Sequence, residues 1–299
     1  MQVLLLGTGY PRPDPKRAGP ATAVVVGKKV FIVDAGRGVV MRLAAAKLPA
    51  VCGVAGSKCL RAVFLTHLHS DHTSGLPDLF NTSWVFGRSK PLELYGPRGT
   101  QEMADALVKF FAADIPVRRD LTEMHPGEGA TINVHTIEEG VVYQDDEVRV
   151  TAFAVDHRPV EPAFGYRFDL FVSSSGDEAR RGGPSSSASL HGGIAKSIVI
   201  SGDTRPSENL IRHAKGVDIL IHEAYLGEHF DRVDSPEVAA RLKAYHTSAE
   251  EVGEVAQQAG VKLLVLTHLV PGNGEKTFRK RARKHFRGKI VVGRDLMRF

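Results

Sequence analysis

Leu60-Arg61-Ala62-Val63-Phe64-Leu65-Thr66-His67-Leu68-His69-Ser70-Asp71-His72 joins an apolar run to four metal-competent side chains within six residues. Alternate residues of an extended segment point the same way, so His67 and His69 can reach one metal while Leu68 turns into the hydrophobic layer. Asp71 and His72 are adjacent and cannot both face that metal from a straight strand. A turn into a helix after Ser70 would aim them at a second metal. Imidazole nitrogens with carboxylate oxygens suit zinc, and also iron or manganese. The segment reads as half of a two-metal hydrolytic site at the end of a buried strand.

The remaining ligands are expected at similar junctions. Asp156-His157 follows the alternating run Val148 to Val155, Asp203 follows Ser197-Ile198-Val199-Ile200-Ser201-Gly202, and His268 follows Val261 to Thr267. Each polar residue is read as standing where an apolar strand stops, the place where open α/β architectures assemble sites from distant sequence.

The set Thr-His-x-His-x-Asp-His, His157, Ser201-Gly202-Asp203 and Thr267-His268 resembles the metallo-β-lactamase superfamily, spaced as in its RNase Z and arylsulfatase-like phosphodiesterase branch. The likeness runs from Leu6-Gly7-Thr8-Gly9 and Val33-Asp34-Ala35-Gly36 to beyond His268. It implies that His67, His69 and His157 hold one divalent ion, that Asp71, His72 and His268 hold another, and that Asp203 bridges them. Zinc is the expected metal, with Mn2+ or Fe2+ also compatible. His222-Glu223-Ala224 and His246-Thr247-Ser248-Ala249-Glu250 resemble the segments that place a catalytic histidine in phosphodiesterase members.

The implied fold is an α/β, αβ/βα sandwich: two mixed β-sheets face to face, helices on the outer faces, as a single domain over residues 1–299. Such a chain can bury roughly three quarters of its unfolded surface. Val24-Val25-Val26 and Val30-Phe31-Ile32-Val33 flank Gly27-Lys28-Lys29 as a hairpin. Glu102 to Phe111 has helical apolar spacing at Met103, Ala106, Leu107 and Phe110. Ser248, with Glu251 three residues on, predicts a capped helix from Ala249 to Gln258 that stops at Gly260. His246 would sit just outside its positive end. Ser173 to Gly193, rich in Ser, Gly and Pro, reads as a flexible loop able to cover or select substrate.

Cys52 and Cys59, two cysteines in a chain this large, are read as free thiols. Met1 to Leu6 reads as a first core strand rather than a leader, and no apolar stretch is long enough to span a membrane, so a cytoplasmic protein is expected. The formal charge is +5, with Lys276, Arg279, Lys280, Arg281, Arg283, Lys284, Arg287 and Lys289 clustered late. That cluster is read as a solvated helix face, the alternative being a phosphate-contacting patch for RNA. Phe278 and Phe286 fit either the patch or the helix's core side.

Two ions sharing Asp203 and a water would supply a bridging hydroxide at neutral pH. Asp71 can bind metal and orient that group, His246 is the expected acid for the leaving oxygen, and Glu223 would hold a nearby histidine's tautomer. The expected activity is hydrolysis of a small anionic ester, a phosphodiester or aryl sulfate. tRNA 3′ processing is the alternative, and lactone or β-lactam hydrolysis a further one. Against tRNA processing stand Gly75-Leu76-Pro77-Asp78, where those enzymes have Gly-Leu-Pro-Gly, and the lack of a match to their protruding arm. A homodimer is implied by the family alone.

Overall fold

Among the described residues, the apolar runs become thirteen strands in two sheets. In spatial order the first sheet holds β1 (Gln2–Gly7), β2 (Ala21–Val26), β3 (Lys29–Val33), β4 (Leu60–Phe64), β5 (Leu92–Gly96) and β6 (Ile132–Thr136). The second runs from β7 (Gly140–Gln144) through β8 (Val148–Ala154), β9 (Phe164–Phe171), β10 (Ile194–Ile200), β11 (Ile219–Tyr225) and β12 (Leu263–Val270) to β13 (Lys289–Val292). This computed structural model describes residues 1–172, 193–232 and 234–299. The flexible loop expected over 173–193 therefore lies, Gly193 aside, outside the described residues.

Each sheet begins antiparallel and ends parallel. β1 to β3 pair antiparallel and β3 to β6 parallel; β7 to β10 pair antiparallel and β10 to β13 parallel. Parallel neighbours need crossovers, which the helices supply, and their carboxyl ends gather at one edge of each sheet.

Period-two alternation sorts the side chains. On β3 and β4, Phe31 and Phe64 point into a layer shared with Tyr166, Phe168 and Ile198 of the second sheet. Their neighbours Ile32 and Val63 point the other way, against Leu43, Leu79 and Phe80. On the far side Val199, Leu220 and Leu264 meet Val252, Val255 and Phe278. Helix, sheet, sheet and helix follow in that order, the expected sandwich. Each buried Phe or Leu contributes ~1.5–3 kcal/mol by its removal from water.

The hairpin closes as expected, with Val24 opposite Phe31. The helix Ala249–Ala259 has the full capping box of Ser248 and Glu251 and ends at Gly260 in the left-handed conformation. The helix Thr100–Phe110 forms, but its buried stripe differs from the expected one. Ala104 and Leu107 are buried, whereas Phe110 is exposed and Phe111 takes the place against Phe80. Leu107 belongs to both stripes, so spacing alone does not choose between them. Phe278 and Phe286 are core residues, while Lys276, Arg279 and Lys280 are exposed.

The cysteine expectation is corrected: Cys52 and Cys59 form a disulfide. Two successive 3-10 turns, Ala50–Cys52 and Val54–Gly56, fold the loop so that Lys58 N–H donates to the Cys52 carbonyl at 3.0 Å. The Cα atoms come to 4.9 Å apart. Cysteine rarity says nothing about such a local fold. No helix among the described residues is long and apolar enough to cross a membrane.

Candidate functional site

After β4 the chain passes through the fully buried Leu65 and Thr66 to His67, and a short helical turn, Ser70–Thr73, lifts Asp71 and His72 off the line of the strand. Glycines admit this turn. A Cβ on Gly36 would lie 2.6 Å from the Asp71 carbonyl oxygen and 2.4 Å from the Gly19 carbonyl carbon, and one on Gly75 would lie 2.2 Å from the Gly36 oxygen. Backbones this close leave no space for a side chain.

Two groups of donor atoms result. His67, His69, His157 and Asp203 form one, and Asp71, His72 and His268 the other, each within 4.8 Å internally. In the first, His69 Nδ1 lies 3.0 Å from His67 Nε2 and 3.4 Å from His157 Nε2. In the second, Asp71 Oδ2 lies 3.2 Å from His268 Nε2 and 3.7 Å from His72 Nε2. Asp203 Oδ2 stands between them, 3.9 Å from His67 and 4.0 Å from His157 on one side, 3.4 Å from His72 and 3.4 Å from His268 on the other.

The surrounding hydrogen bonds fix which nitrogens are free. The Tyr245 carbonyl can only accept, so His157 Nδ1 donates to it at 2.9 Å and Nε2 presents a lone pair. His72 Nδ1 donates to Asp34 at 2.8 Å. Thr66 Oγ1 donates to the same carboxylate and so accepts from His67 Nδ1 at 3.0 Å. Three imidazole Nε2 atoms thus converge on Asp203, and His72 Nε2, Asp203 Oδ1 and His268 Nδ1 have no hydrogen-bond partner among the described residues. Lone pairs this close repel one another unless a cation lies between them, and the outer partners are those that orient metal ligands. The donor set fits divalent cations.

The electrostatics agree. Burial pushes His67, His69 and His157 below the usual imidazole range, into the neutral form that ligates. Burial opposes charge on His72 as well, yet Asp203 and Asp34 outweigh it and hold its pKa well above the usual value. Against the same burial penalty, Asp203 and Asp71 raise His268 to about 9. Asp203 itself, despite burial, is held well below the carboxylate range by His268 and His72. This pocket attracts positive charge, and a metal entering it displaces protons.

Beside the donors stands His246. Its Nδ1 donates to Glu223, 2.9 Å from both carboxylate oxygens, and Glu223 Oε1 also accepts from Thr204 N–H at 2.9 Å. Burial would lower the His246 pKa, but Glu223 raises it. Glu223 is buried rather than water-facing. The neighbouring His222 donates from Nδ1 to the Glu223 carbonyl at 2.8 Å, and burial pushes its pKa down to about 4. His246, His69, Asp71, Asp203 and His268 line one cavity of about 520 Å3.

All nine residues singled out from the sequence come together here. One reading of their placement is corrected: His268 does not stand where a strand stops. β12 continues past it, and the register with β11 jumps from Glu223↔Thr267 to Ala224↔Leu269, so His268 is extruded as a bulge with φ 43°. Asp34, Thr66 and Tyr245 were not anticipated as supports. Asp34 follows β3 just as Asp203 follows β10, a signal of the same kind; the Tyr245 contribution is a backbone carbonyl and carries none.

The sequence profile of the beta-lactamase superfamily domain matches residues 29–269. A ribonuclease Z of Mycobacterium bovis (strain BCG / Pasteur 1173P2) is 38% identical over 308 aligned positions, covering 100% of this chain and 97% of its own length. The chain belongs to the metallo-β-lactamase superfamily, in its ribonuclease Z branch. A ribonuclease Z of Mycobacterium sp. (strain KMS) is 39% identical, covering 100% of this chain and 95% of its own. Among solved structures, the metallo-beta-lactamase fold protein YhfI of Bacillus subtilis has a TM-score of 0.69 at 19% identity, and the short form of human tRNase Z one of 0.66 at 22%, each covering 100% of this chain and 98% of its own. At those identities the likeness is one of fold. Membership in this family makes the protein a metal-dependent hydrolase.

Proposed function

We propose that the protein is an endoribonuclease that cleaves RNA phosphodiesters at tRNA 3′ ends, using two divalent metal ions, zinc first among them. The observation that carries the reading is the Glu223-held imidazole of His246 on the wall of the cavity that also holds Asp71, Asp203 and His268. Hydrolysis of an RNA phosphodiester breaks a P–O bond and expels a ribose alkoxide, which needs a proton, and a fixed imidazole beside the metal donors can give one. The full-length likeness to proteins named Ribonuclease Z supports RNA over the small anionic ester favoured from sequence. It outweighs the two local departures, which concern a tetrapeptide and an appendage rather than the site.

His67, His69 and His157 would hold one ion and Asp71, His72 and His268 the other, with Asp203 shared. Bound there, the ions would activate water and neutralise the charge growing on the phosphate. Asp71 can also accept a hydrogen bond at the cavity wall and so fix the direction of an incoming nucleophile. Glu223 keeps the His246 proton on Nδ1 in the neutral ring and stabilises the charged ring, whose Nε2 proton goes to the leaving oxygen. Thr204 N–H holds Glu223 in turn.

The test is a precursor tRNA with a 3′ trailer, incubated with metal-loaded protein and end-mapped. A cut at the junction of acceptor stem and trailer is expected. An intact precursor, alongside turnover of an aryl sulfate or bis(4-nitrophenyl) phosphate, would return the protein to the small-ester reading.

A further inference from the structure

The helix Pro236–Ala244 ends at Tyr245, whose φ of −118° and ψ of 11° break the helical run. Three consecutive residues then take separate tasks. The Tyr245 carbonyl accepts from His157 Nδ1, His246 is held by Glu223, and Thr247 Oγ1 donates to the Thr204 carbonyl. The Tyr245 side chain has a place of its own. Its ring centroid lies 4.6 Å from that of His246, the planes at 45°, and 5.0 Å from that of His157, edge-on at 77°. It lines the same cavity as Asp71, Asp203 and His246. The phenol therefore stands beside both a residue of the first donor group and the residue placed to protonate the leaving oxygen.

Its hydroxyl is not explained by packing. Tyr166 Oη donates to the Leu65 carbonyl and Tyr143 Oη to Asp145, each at 2.7 Å, as tyrosines with a structural hydroxyl do. Tyr245 is half-buried and its Oη makes no hydrogen bond among the described residues. Burial, and then the charges of Asp203, Glu223 and Asp71, push its pKa up, so the group faces these carboxylates as a neutral donor. Phe230, Leu242 and Val270 line the cavity with it, and a hydrogen bond made against such apolar neighbours is little weakened by water.

We propose that the Tyr245 hydroxyl is a catalytic donor, giving a hydrogen bond to a non-bridging oxygen of the scissile phosphate as charge builds there. The assignment rests on phosphodiester cleavage at this site, whether the diester is RNA or small. The phenol keeps its proton throughout; the proton for the leaving oxygen comes from His246. A donor of this kind acts on charge that grows during the reaction, so it favours the transition state over the bound substrate.

The experiment uses full-length, metal-loaded protein and Tyr245→Phe, which keeps the backbone carbonyl and the ring against His246 and His157. kcat and KM are measured on precursor tRNA and on bis(4-nitrophenyl) phosphate, with metal content and melting temperature alongside. The precursor is also made with a single phosphorothioate at the cleavage site, as separate diastereomers. The variant should lose about 100-fold in kcat with little change in KM, at full metal content and an unchanged melting temperature. Sulfur accepts hydrogen bonds poorly, so the cost of Tyr245→Phe should nearly vanish on one thio diastereomer and persist on the other. Tyr95→Phe removes a hydroxyl outside the cavity and should change nothing.

An unchanged kcat in Tyr245→Phe, or one equal cost on the oxygen substrate and both thio diastereomers, would overturn the donor. So would a loss that comes with loss of metal, which would make the residue structural. Precursor cleavage that Tyr245→Phe leaves intact removes the donor and keeps the endoribonuclease. Turnover of bis(4-nitrophenyl) phosphate without cleavage of RNA removes the endoribonuclease, and the kcat comparison on that small diester then decides for or against the donor. Turnover of an aryl sulfate alone would overturn both.

Discussion

His246→Ala separates proton donation from metal-assisted attack. Losing a general acid costs about 10²- to 10⁴-fold, which at 1.36 kcal/mol per tenfold is ~2.7–5.4 kcal/mol of barrier. The structure adds a second, smaller effect. Glu223 is buried and its Oε2 has His246 as its partner, so the variant strands an acceptor at a cost of about 1–3 kcal/mol in stability. Thr204 N–H still holds Oε1, so the carboxylate should stay in place. The assay compares an RNA diester, whose leaving group is a poor alkoxide, with a nitrophenyl diester, whose leaving group is already a good anion. Metal content and melting temperature are measured alongside. The expected result is full metal content, a lowered melting temperature, a severe loss on RNA and a much smaller one on the nitrophenyl ester. Equal losses on both esters together with loss of metal would refute the reasoning and make His246 a ligand or a structural residue.

Asp203→Asn should lower bound metal and reduce RNA cleavage by more than about 100-fold, the upper end of what even an outer partner of a ligand costs; normal metal content and turnover would remove it as the bridge. Gly36→Ala puts a Cβ against backbone atoms of Gly19, Pro20 and Asp71. It should destabilise by ~1–3 kcal/mol and weaken metal binding through Asp71, whereas an unchanged melting curve would mean that the turn has slack. Asp145 accepts from Lys29 Nζ at 2.7 Å, Tyr143 Oη at 2.7 Å and two backbone N–H groups, and against the opposing effect of burial these lower its pKa from 3.8 to about 2. A depressed carboxylate stabilises the fold above its unfolded pKa and loses that contribution as pH falls through the folded one. After discounting for solvent screening, Asp145→Asn should cost about 1–2 kcal/mol at pH 7, and the deficit should vanish between pH 3.8 and about 2. A deficit that persists at pH 2 would assign it to lost packing.

How far the sequence reached depends on whether each feature is written in local pattern. The β4 run and the His67 to His72 cluster are legible because period-two alternation and one forced bend suffice to aim four side chains. The capped helix at Ser248 is legible because both halves of its capping box lie three residues apart. His268 is legible as a ligand but not as a bulge, since the register slip belongs to the pairing of β11 with β12. The helix Thr100–Phe110 shows the same limit: Leu107 serves two stripes, and only Phe80 across the layer decides for Phe111. Asp34 and the Tyr245 carbonyl act on His72 and His157 from 38 and 88 residues away, and the Cys52–Cys59 disulfide depends on two turns that composition does not describe. Chemistry held on one strand end could be read; supports held across the fold could not.

The central claim is that two donor groups sharing Asp203 work as one two-metal site for RNA cleavage. Metal-stripped protein titrated with Zn2+, or in parallel with Mn2+, while bound metal and cleavage of a 3′-extended precursor tRNA are followed on the same samples, tests it most directly. The account predicts saturation at two ions per chain, with cleavage appearing as the second site fills. Saturation at one ion with full activity, or cleavage that persists in the stripped protein, would contradict it.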